Sequence, residues 1–403
     1  MAIRLLGLDA LVGVALGTGY LTSLRFLGPA GVSELLFLFV IAILFKKNYT
    51  KLFSFHKTSE GFIKLYFLFS ALIVMPAITL LVLQFGGIQK SDPVYIVSFA
   101  GGIVFYVLII EAVRSNQINM SAVAMWSSAI FIVTNLISLF IFNLDVPEGR
   151  YTGGAKNPNQ LLFYASTLSL LLVIYQKKAS FILIPIIFFI VLKSKSDAYM
   201  LMLVVTLSSF IYLQATFFLM RTSIFVKLLT HVVILLGLTI YIVYAHGPFL
   251  MDAWLNADQG GKRIALMWNA LLASIQSPVF GWGAGSFSGV YYPFSGSEAH
   301  NTFLDFSMSF GFLFPILIYT IIFSFLIKSI RQNNYLVAAF TLGFIVSGLF
   351  HFSGRHFTFW IELAVFSTYI FSGANNTFNL KDRIFKHYKS PIHKKLVGKL
   401  GRT

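Results

Sequence analysis

The chain contains no cysteine, so it forms no disulfide, offers no thiolate to a metal and carries no cysteine nucleophile. Charge is scarce as well. Only 11% of the 403 residues are charged, with 14 acids against 30 lysines and arginines, where ordinary globular domains are roughly a quarter charged. No carboxylate cluster accompanies the scattered histidines, so no metal-ligand constellation stands out and no metal or cofactor is expected. Internal repeats of the kind that build two related transporter halves are not found either.

What fills the chain is apolar sequence. Hydrophobic residues make up 57% and the mean hydropathy is +0.81. They fall in blocks such as Phe62–Gln84, Met120–Phe142 and Leu201–Met220, each near the roughly 20 residues a helix needs to cross about 30 Å of hydrocarbon. Backbone groups in lipid must pair internally, which leaves helices or closed barrels. Continuous apolarity rather than period-two alternation selects helices. The expected fold class is an all-α polytopic integral membrane protein with about 12 spans, near 5–24, 27–45, 62–84, 94–113, 119–142, 160–175, 179–193, 198–220, 226–245, 302–327, 335–353 and 357–373. The chain thus divides into helices one to nine (1–245), a large polar loop (246–301), helices ten to twelve (302–373) and a basic tail (374–403). Met1 to Leu24 has signal-peptide features without a small-x-small cleavage site, and another apolar block follows, so it reads as a retained first helix.

The net charge of +16 does not indicate nucleic acid. Eight basic residues lie between Lys381 and Arg402 beside one acid, Asp382, and others sit in short connectors. Lys46, Lys47, Lys51, Lys57, Arg114, Lys177, Lys178, Arg221, Lys328 and Arg331 follow even-numbered spans, whereas the remaining connectors are nearly balanced. Positive residues favour the cytoplasm, so both termini are expected inside and the polar loop outside, with membrane lipids as the partner of the tail.

The outward connectors hold the candidate chemistry. One reads Glu148-Gly-Arg-Tyr-Thr-Gly-Gly-Ala-Lys-Asn-Pro-Asn-Gln160, another Lys193-Ser-Lys-Ser-Asp197; the loop offers Arg263, Glu298, His300 and Asn301, and the last connector His351, Arg355 and His356. Cations on the outer side run against the sidedness rule, and binding a phosphate or diphosphate gives them a reason to be there. His300 suits a general base at neutral pH, or else caps the start of span ten. Arg263 is either a substrate contact or a solvated charge at the head of an amphipathic helix. Lys262 to Ile275 reads as that helix, with Ile264, Met267, Trp268, Leu271 and Leu272 on its apolar stripe. Arg150 and Lys156 either bind substrate or balance Asp145 and Glu148. Gly281-Trp-Gly-Ala-Gly285 follows no strand and precedes no acid at ribose spacing, so it is a tight turn around an aromatic and not a nucleotide fingerprint. Asp305 and Glu362, inside spans, are either functional acids or groups at a hydrated interface.

Three ordered patterns carry a resemblance: Arg150-Tyr-Thr-Gly153 leading to Asn157-Pro-Asn159; Arg263, then Trp268, then Pro278-Val-Phe-Gly-Trp-Gly283; and His300-Asn-Thr-Phe-Leu304 followed by Gly311. Together they resemble the O-antigen ligase and polymerase superfamily of bacterial surface-polysaccharide enzymes, over about residues 148–315. The resemblance implies a GT-C-like membrane glycosyltransferase of the bacterial inner membrane, metal-independent, using a glycan on undecaprenyl diphosphate. It implies His300 and Arg263 as catalytic residues; Arg150, Lys156, Asn159, Lys195, Arg355 and Asn301 are the candidates to hold the donor diphosphate, with Lys195, Arg150 or Arg355 in place of the family's second arginine. A ligase would pass the glycan to lipid A-core, whereas a polymerase would extend a lipid-linked repeat. The second arginine expected at the start of span eight is replaced by Asp197. A lipid-glycan flippase or an assembly scaffold is the alternative from another class.

Overall fold

A computed structural model of the chain describes residues 2–21, 25–27, 30–52, 59–85, 94–142, 145–146, 150–155, 158–219, 226, 229–230, 233, 260–285 and 298–371. Nearly all of the expected ninth span, most of the rest of the polar loop and the basic tail lie outside these residues.

The described chain is helical, apart from two short ladders: β1 (Arg25–Leu27) with β2 (Ala30–Gly31), and β3 (Asp145–Val146) with β4 (Arg150–Tyr151). In order, the helices are α1 (Ala2–Thr18), α2 (Val32–Leu52), α3 (Ser59–Phe69), α4 (Met75–Phe85), α5 (Val94–Arg114), α6 (Met120–Ile137), α7 (Pro158–Tyr175), α8 (Lys177–Leu192), α9 (Asp197–Leu219), α10 (Gly260–Gln276), α11 (Thr302–Phe310), α12 (Leu313–Arg331), α13 (Tyr335–Phe350) and α14 (Phe357–Phe371). A π-turn, Ser70–Val74, joins α3 to α4 without breaking their line, and a second, Ser138–Phe142, ends α6. Among the described residues four segments are long and apolar enough to cross a membrane: Ser59–Gln84, Tyr95–Arg114, Met120–Phe140 and Leu313–Arg331. Their outward faces carry bare Phe62, Leu80, Val97, Val133 and Phe140, as hydrocarbon contact requires.

Helices without polar cores are held by close approach. Gly13 and Gly17, one turn apart on α1, let that helix lie against α6; a Cβ on Gly17 would stand 2.6 Å from the Ser127 carbonyl oxygen. Gly102 of α5 likewise admits the Trp360 indole of α14. Trp360 sits in an aromatic core with Phe306, Phe359 and Tyr106, at ring separations of 5.9, 5.3 and 6.5 Å.

Polar groups collect at the two ends of this bundle. At one end Lys64 pairs with Glu60 (3.0 Å) and Glu111, Arg114 pairs with Glu60, and Asn48 and Gln117 exchange amide hydrogen bonds of 3.0 Å. Asp9 accepts from the Asn119 amide there at 2.8 Å. The other end carries His300.

Two sequence expectations change. Span ten is not one helix: α11 stops at Phe310, Gly311 adopts φ 80° and ψ 171°, and α12 restarts at Leu313. A side chain at Gly311 would strike the Val279 carbonyl, so only glycine permits this break. The amphipathic helix expected at 262–275 is present as α10, but Ile264, Trp268 and Ile275 of its apolar sequence face away from the protein while Leu266, Ala270 and Ala273 face inward. The helix is therefore apolar on two sides.

Replacing Gly17 with alanine is expected to cost about 1–3 kcal/mol, read as a lowered melting temperature in detergent. Gly7→Ala, inside the same helix where a Cβ meets nothing within 4 Å, serves as control and is expected to leave the melt unchanged or raise it slightly.

Candidate functional site

The segment that positions His300 is short and tightly pinned. Asp305, buried in the first turn of α11, accepts from the backbone amides of Ala299 (2.9 Å) and Asn301 (3.1 Å). Asn301 caps α11, its side-chain oxygen accepting from the Leu304 amide at 3.1 Å while its amide donates to the Leu349 carbonyl at 3.1 Å. Thr302 donates to the His351 carbonyl at 2.6 Å, tying this segment to the turn between α13 and α14. Between the two anchors His300 takes φ 54°, a left-handed conformation uncommon for a side-chain-bearing residue. Asp305 is thus a buried latch and not an acid at a hydrated interface. Glu362 is buried as well: among the described residues its carboxylate oxygens have no hydrogen-bond partner within normal distance, and Thr167 of α7 is its polar neighbour.

The turn 351–356 supplies the facing wall. The rings of His300 and His351 meet edge-on with centroids 6.3 Å apart. His351 and His356 both lie against Phe163 of α7, at 5.7 and 5.2 Å, and His356 also meets Tyr164 at 6.2 Å. Arg355 forms an ion pair with Glu298, and its Nε–H points at His356 Nε2 from 3.5 Å. Arg263, in the first turn of α10, is half-buried and close enough for its charge to act on His351.

α10 is fixed by the glycine-rich turn that follows it. Gly281, Gly283 and Gly285 have φ of 68°, 85° and 76°, and the Trp282 indole donates to the Ala273 carbonyl at 2.8 Å. This turn also straps the break at Gly311: the Trp282 amide donates to the Met308 carbonyl (2.6 Å) and the Phe312 amide to the Pro278 carbonyl (2.8 Å). Thr79 of α4 accepts from the Ala284 amide at 2.9 Å, so the strap is docked to the bundle. The tight turn around an aromatic expected from the sequence is what forms, with Trp282 packed among Ala270, Ala273, Ala299 and Met308.

Electrostatics follows from burial among cations. Burial pushes His351 down to about 3, helped by the charges of Arg263, His300 and Arg355. His356 is driven well below its ordinary value by burial, then by Arg355 and His351. Both rings are neutral near pH 7, and the Nε2 of His351 has no hydrogen-bond partner among the described residues. Burial raises the Glu298 carboxyl above its ordinary range, against the opposing pull of Arg355.

The structure therefore unites His300, Arg263, Arg355 and Asn301, together with Glu298, His351 and His356. Lys195 lies in the turn between α8 and α9, exposed, with φ 48°. That turn is joined to the 150–155 connector by a 3.2 Å bond from the Tyr151 amide to the Lys193 carbonyl. Arg150, Asn159 and Asp197 have described backbone only, at β4, the first turn of α7 and the start of α9; Lys156 lies outside the described residues. The contribution of α7 through Phe163 and Tyr164, and that of Glu34 on α2, was not foreseen, because isolated aromatic or acidic residues in apolar helices carry no local signal. Among the described residues no group of three or more His, Asp or Glu side chains is arranged to hold a metal ion. No protein-family model and no curated protein matches the chain.

Protonation links this site to stability. His351 and His356 titrate lower in the folded chain than in the unfolded one, so below about pH 6.5 the unfolded chain takes up protons the folded site refuses. Stability is accordingly expected to fall as the pH drops from 7 to 5. Glu298, with its pKa raised, acts in the opposite sense above its ordinary value of 4.5. Melting temperatures measured across this range should drop for the parent protein and drop less for His351→Gln.

Proposed function

We propose that the chain is a membrane glycosyltransferase that moves a glycan from undecaprenyl diphosphate to an acceptor sugar hydroxyl, of the ligase type, with lipid A-core as acceptor. The observation that carries this reading is the gathering of His300, His351 and His356 with Arg355 and Glu298 at a single end of an apolar helical bundle, with Arg263 near enough for its charge to act on His351. In this reading about 12 helices span the bacterial inner membrane, both termini are cytoplasmic and the His300 end faces the periplasm. The connectors that the distribution of lysine and arginine assigns to the outer face supply this end, which supports that orientation.

The chemistry suits the residues. The imidazole of His300 accepts the acceptor hydroxyl proton as that oxygen attacks the anomeric carbon. The bond from the anomeric carbon to the phosphate oxygen breaks, and its electron pair leaves with the lipid diphosphate. Arg263 and Arg355 stabilise the developing charge, so the step needs no metal. His351, held neutral beside His300, lines the site without adding a third competing cation. Direct displacement inverts the anomeric configuration. The bare apolar face of α10, with Ile264, Trp268 and Ile275, fits a helix lying at the membrane surface, next to which a lipid-borne donor approaches.

Glu362, a buried carboxyl inside α14, is the observation that favours a second reading, a lipid-glycan transporter. A complementation experiment separates the two. In a deletion strain, His300→Ala and Arg263→Ala at normal protein level are each expected to lower glycan transfer about 10²–10⁴-fold, seen on a lipopolysaccharide gel. Core without attached chains would mark a ligase, and core bearing one repeat a polymerase. Undiminished glycan assembly by His300→Ala would overturn the transferase reading.

A further inference from the structure

A cavity of about 90 Å³ opens where α1, α2, α5, α7 and α14 meet, at the same end of the bundle as His300. Glu34, Ser98, Tyr164, Arg355 and His356 give it polar groups, and the stacked rings of Phe37 and Phe357, 4.3 Å apart, give it an apolar wall. Space of that kind holds several waters, which is comparable to a single pyranose ring and too little for a lipid chain with its headgroup. Arg355 belongs to both places. Its guanidinium pairs with Glu298 beside His300, while its carbonyl oxygen accepts from the Ser98 hydroxyl at 3.4 Å.

We propose that this cavity is a saccharide subsite, in which Glu34, Ser98 and Tyr164 hold the hydroxyl edge of one uncharged sugar ring and Arg355 joins it to the reacting centre. The proposal rests on the transferase reading above. A carboxylate accepts hydroxyl hydrogens strongly, two at a time, and a phenol or serine hydroxyl both donates and accepts. The C–H face of a pyranose fits against aromatic rings. The same carboxylate repels phosphate, so the cavity selects the sugar and leaves the diphosphate to Arg263 and the other side of Arg355. The ring comes from the donor glycan or from the acceptor.

The test uses the full chain in phospholipid nanodiscs free of glycolipid and of maltoside detergent. Saturation-transfer NMR is recorded with the methyl glycosides of glucose, galactose and N-acetylglucosamine at millimolar concentration. At least one glycoside is expected to receive saturation. Glu34→Gln should weaken its binding about tenfold or more, and Ser98→Trp, which fills the cavity and keeps the carboxylate, should abolish it. His300→Ala should retain it. No binding by any glycoside, or equal binding by the parent, Glu34→Gln and Ser98→Trp, would overturn the subsite.

A second arm measures transfer with host-derived lipid-linked glycan and core saccharide. A Glu34→Gln increase in KM confined to one of the two substrates identifies the source of the ring. Glycoside binding with no transfer by the parent would remove the transferase reading and keep the subsite. Transfer with binding indifferent to Glu34 would do the reverse.

Discussion

A helix that breaks among apolar helices releases backbone donors and acceptors that no water reaches, and each one left unpaired costs free energy comparable to a lost hydrogen bond. The break at Gly311 is possible because the strap 277–285 takes up those groups, with Trp282 donating to Met308 and Phe312 donating to Pro278. The strap in turn needs three glycines in left-handed conformations and an anchor on Thr79. Because α11 is severed from α12, its first turn is free to set its own direction, and Asp305 and Asn301 fix the His300 segment upon it. The position of the histidine thus depends on a chain of backbone hydrogen bonds that starts well away from its ring.

The same end of the bundle solves an electrostatic problem. Arg263, Arg355, His300, His351 and His356 gather at one end of the bundle, and five cations together would repel one another. Burial keeps His351 and His356 neutral, and Glu298 pairs with Arg355. The cationic character is thereby concentrated on the arginines. A site built this way offers fixed positive charge to an anionic group and a histidine next to it. The opposite end holds Glu60, Lys64, Glu111 and Arg114 in close mutual pairing, which ties α3 to α5.

Helical character was legible because its cause is local. Runs of apolar residues long enough to form spans, a stripe of apolar residues from Ile264 to Leu272, and glycines at 281, 283 and 285 each act within a few residues of themselves. The corresponding helices and turn form near the expected places. Gly311 belongs to a sequence pattern, yet the break it permits is not written there, since its meaning depends on Val279, 32 residues earlier, standing where a side chain would be. The packing of α1 on α6 through Gly13 and Gly17 is written in the chain as a spacing of four, but only the presence of Ser127 and Ile130 opposite gives that spacing its role.

For the candidate site the division is similar. Composition and charge distribution by themselves determined an all-helical membrane chain, with its unusual cations and histidines in one set of connectors, because hydropathy and charge count act residue by residue. That Arg263, His300 and Arg355 meet, that His351 and His356 are stripped of charge, and that Glu34 and Tyr164 enclose a cavity beside them was decided only by the tertiary structure. Those properties belong to distances between segments tens to hundreds of residues apart in the chain, and burial and Coulombic interaction exist only once the helices have packed.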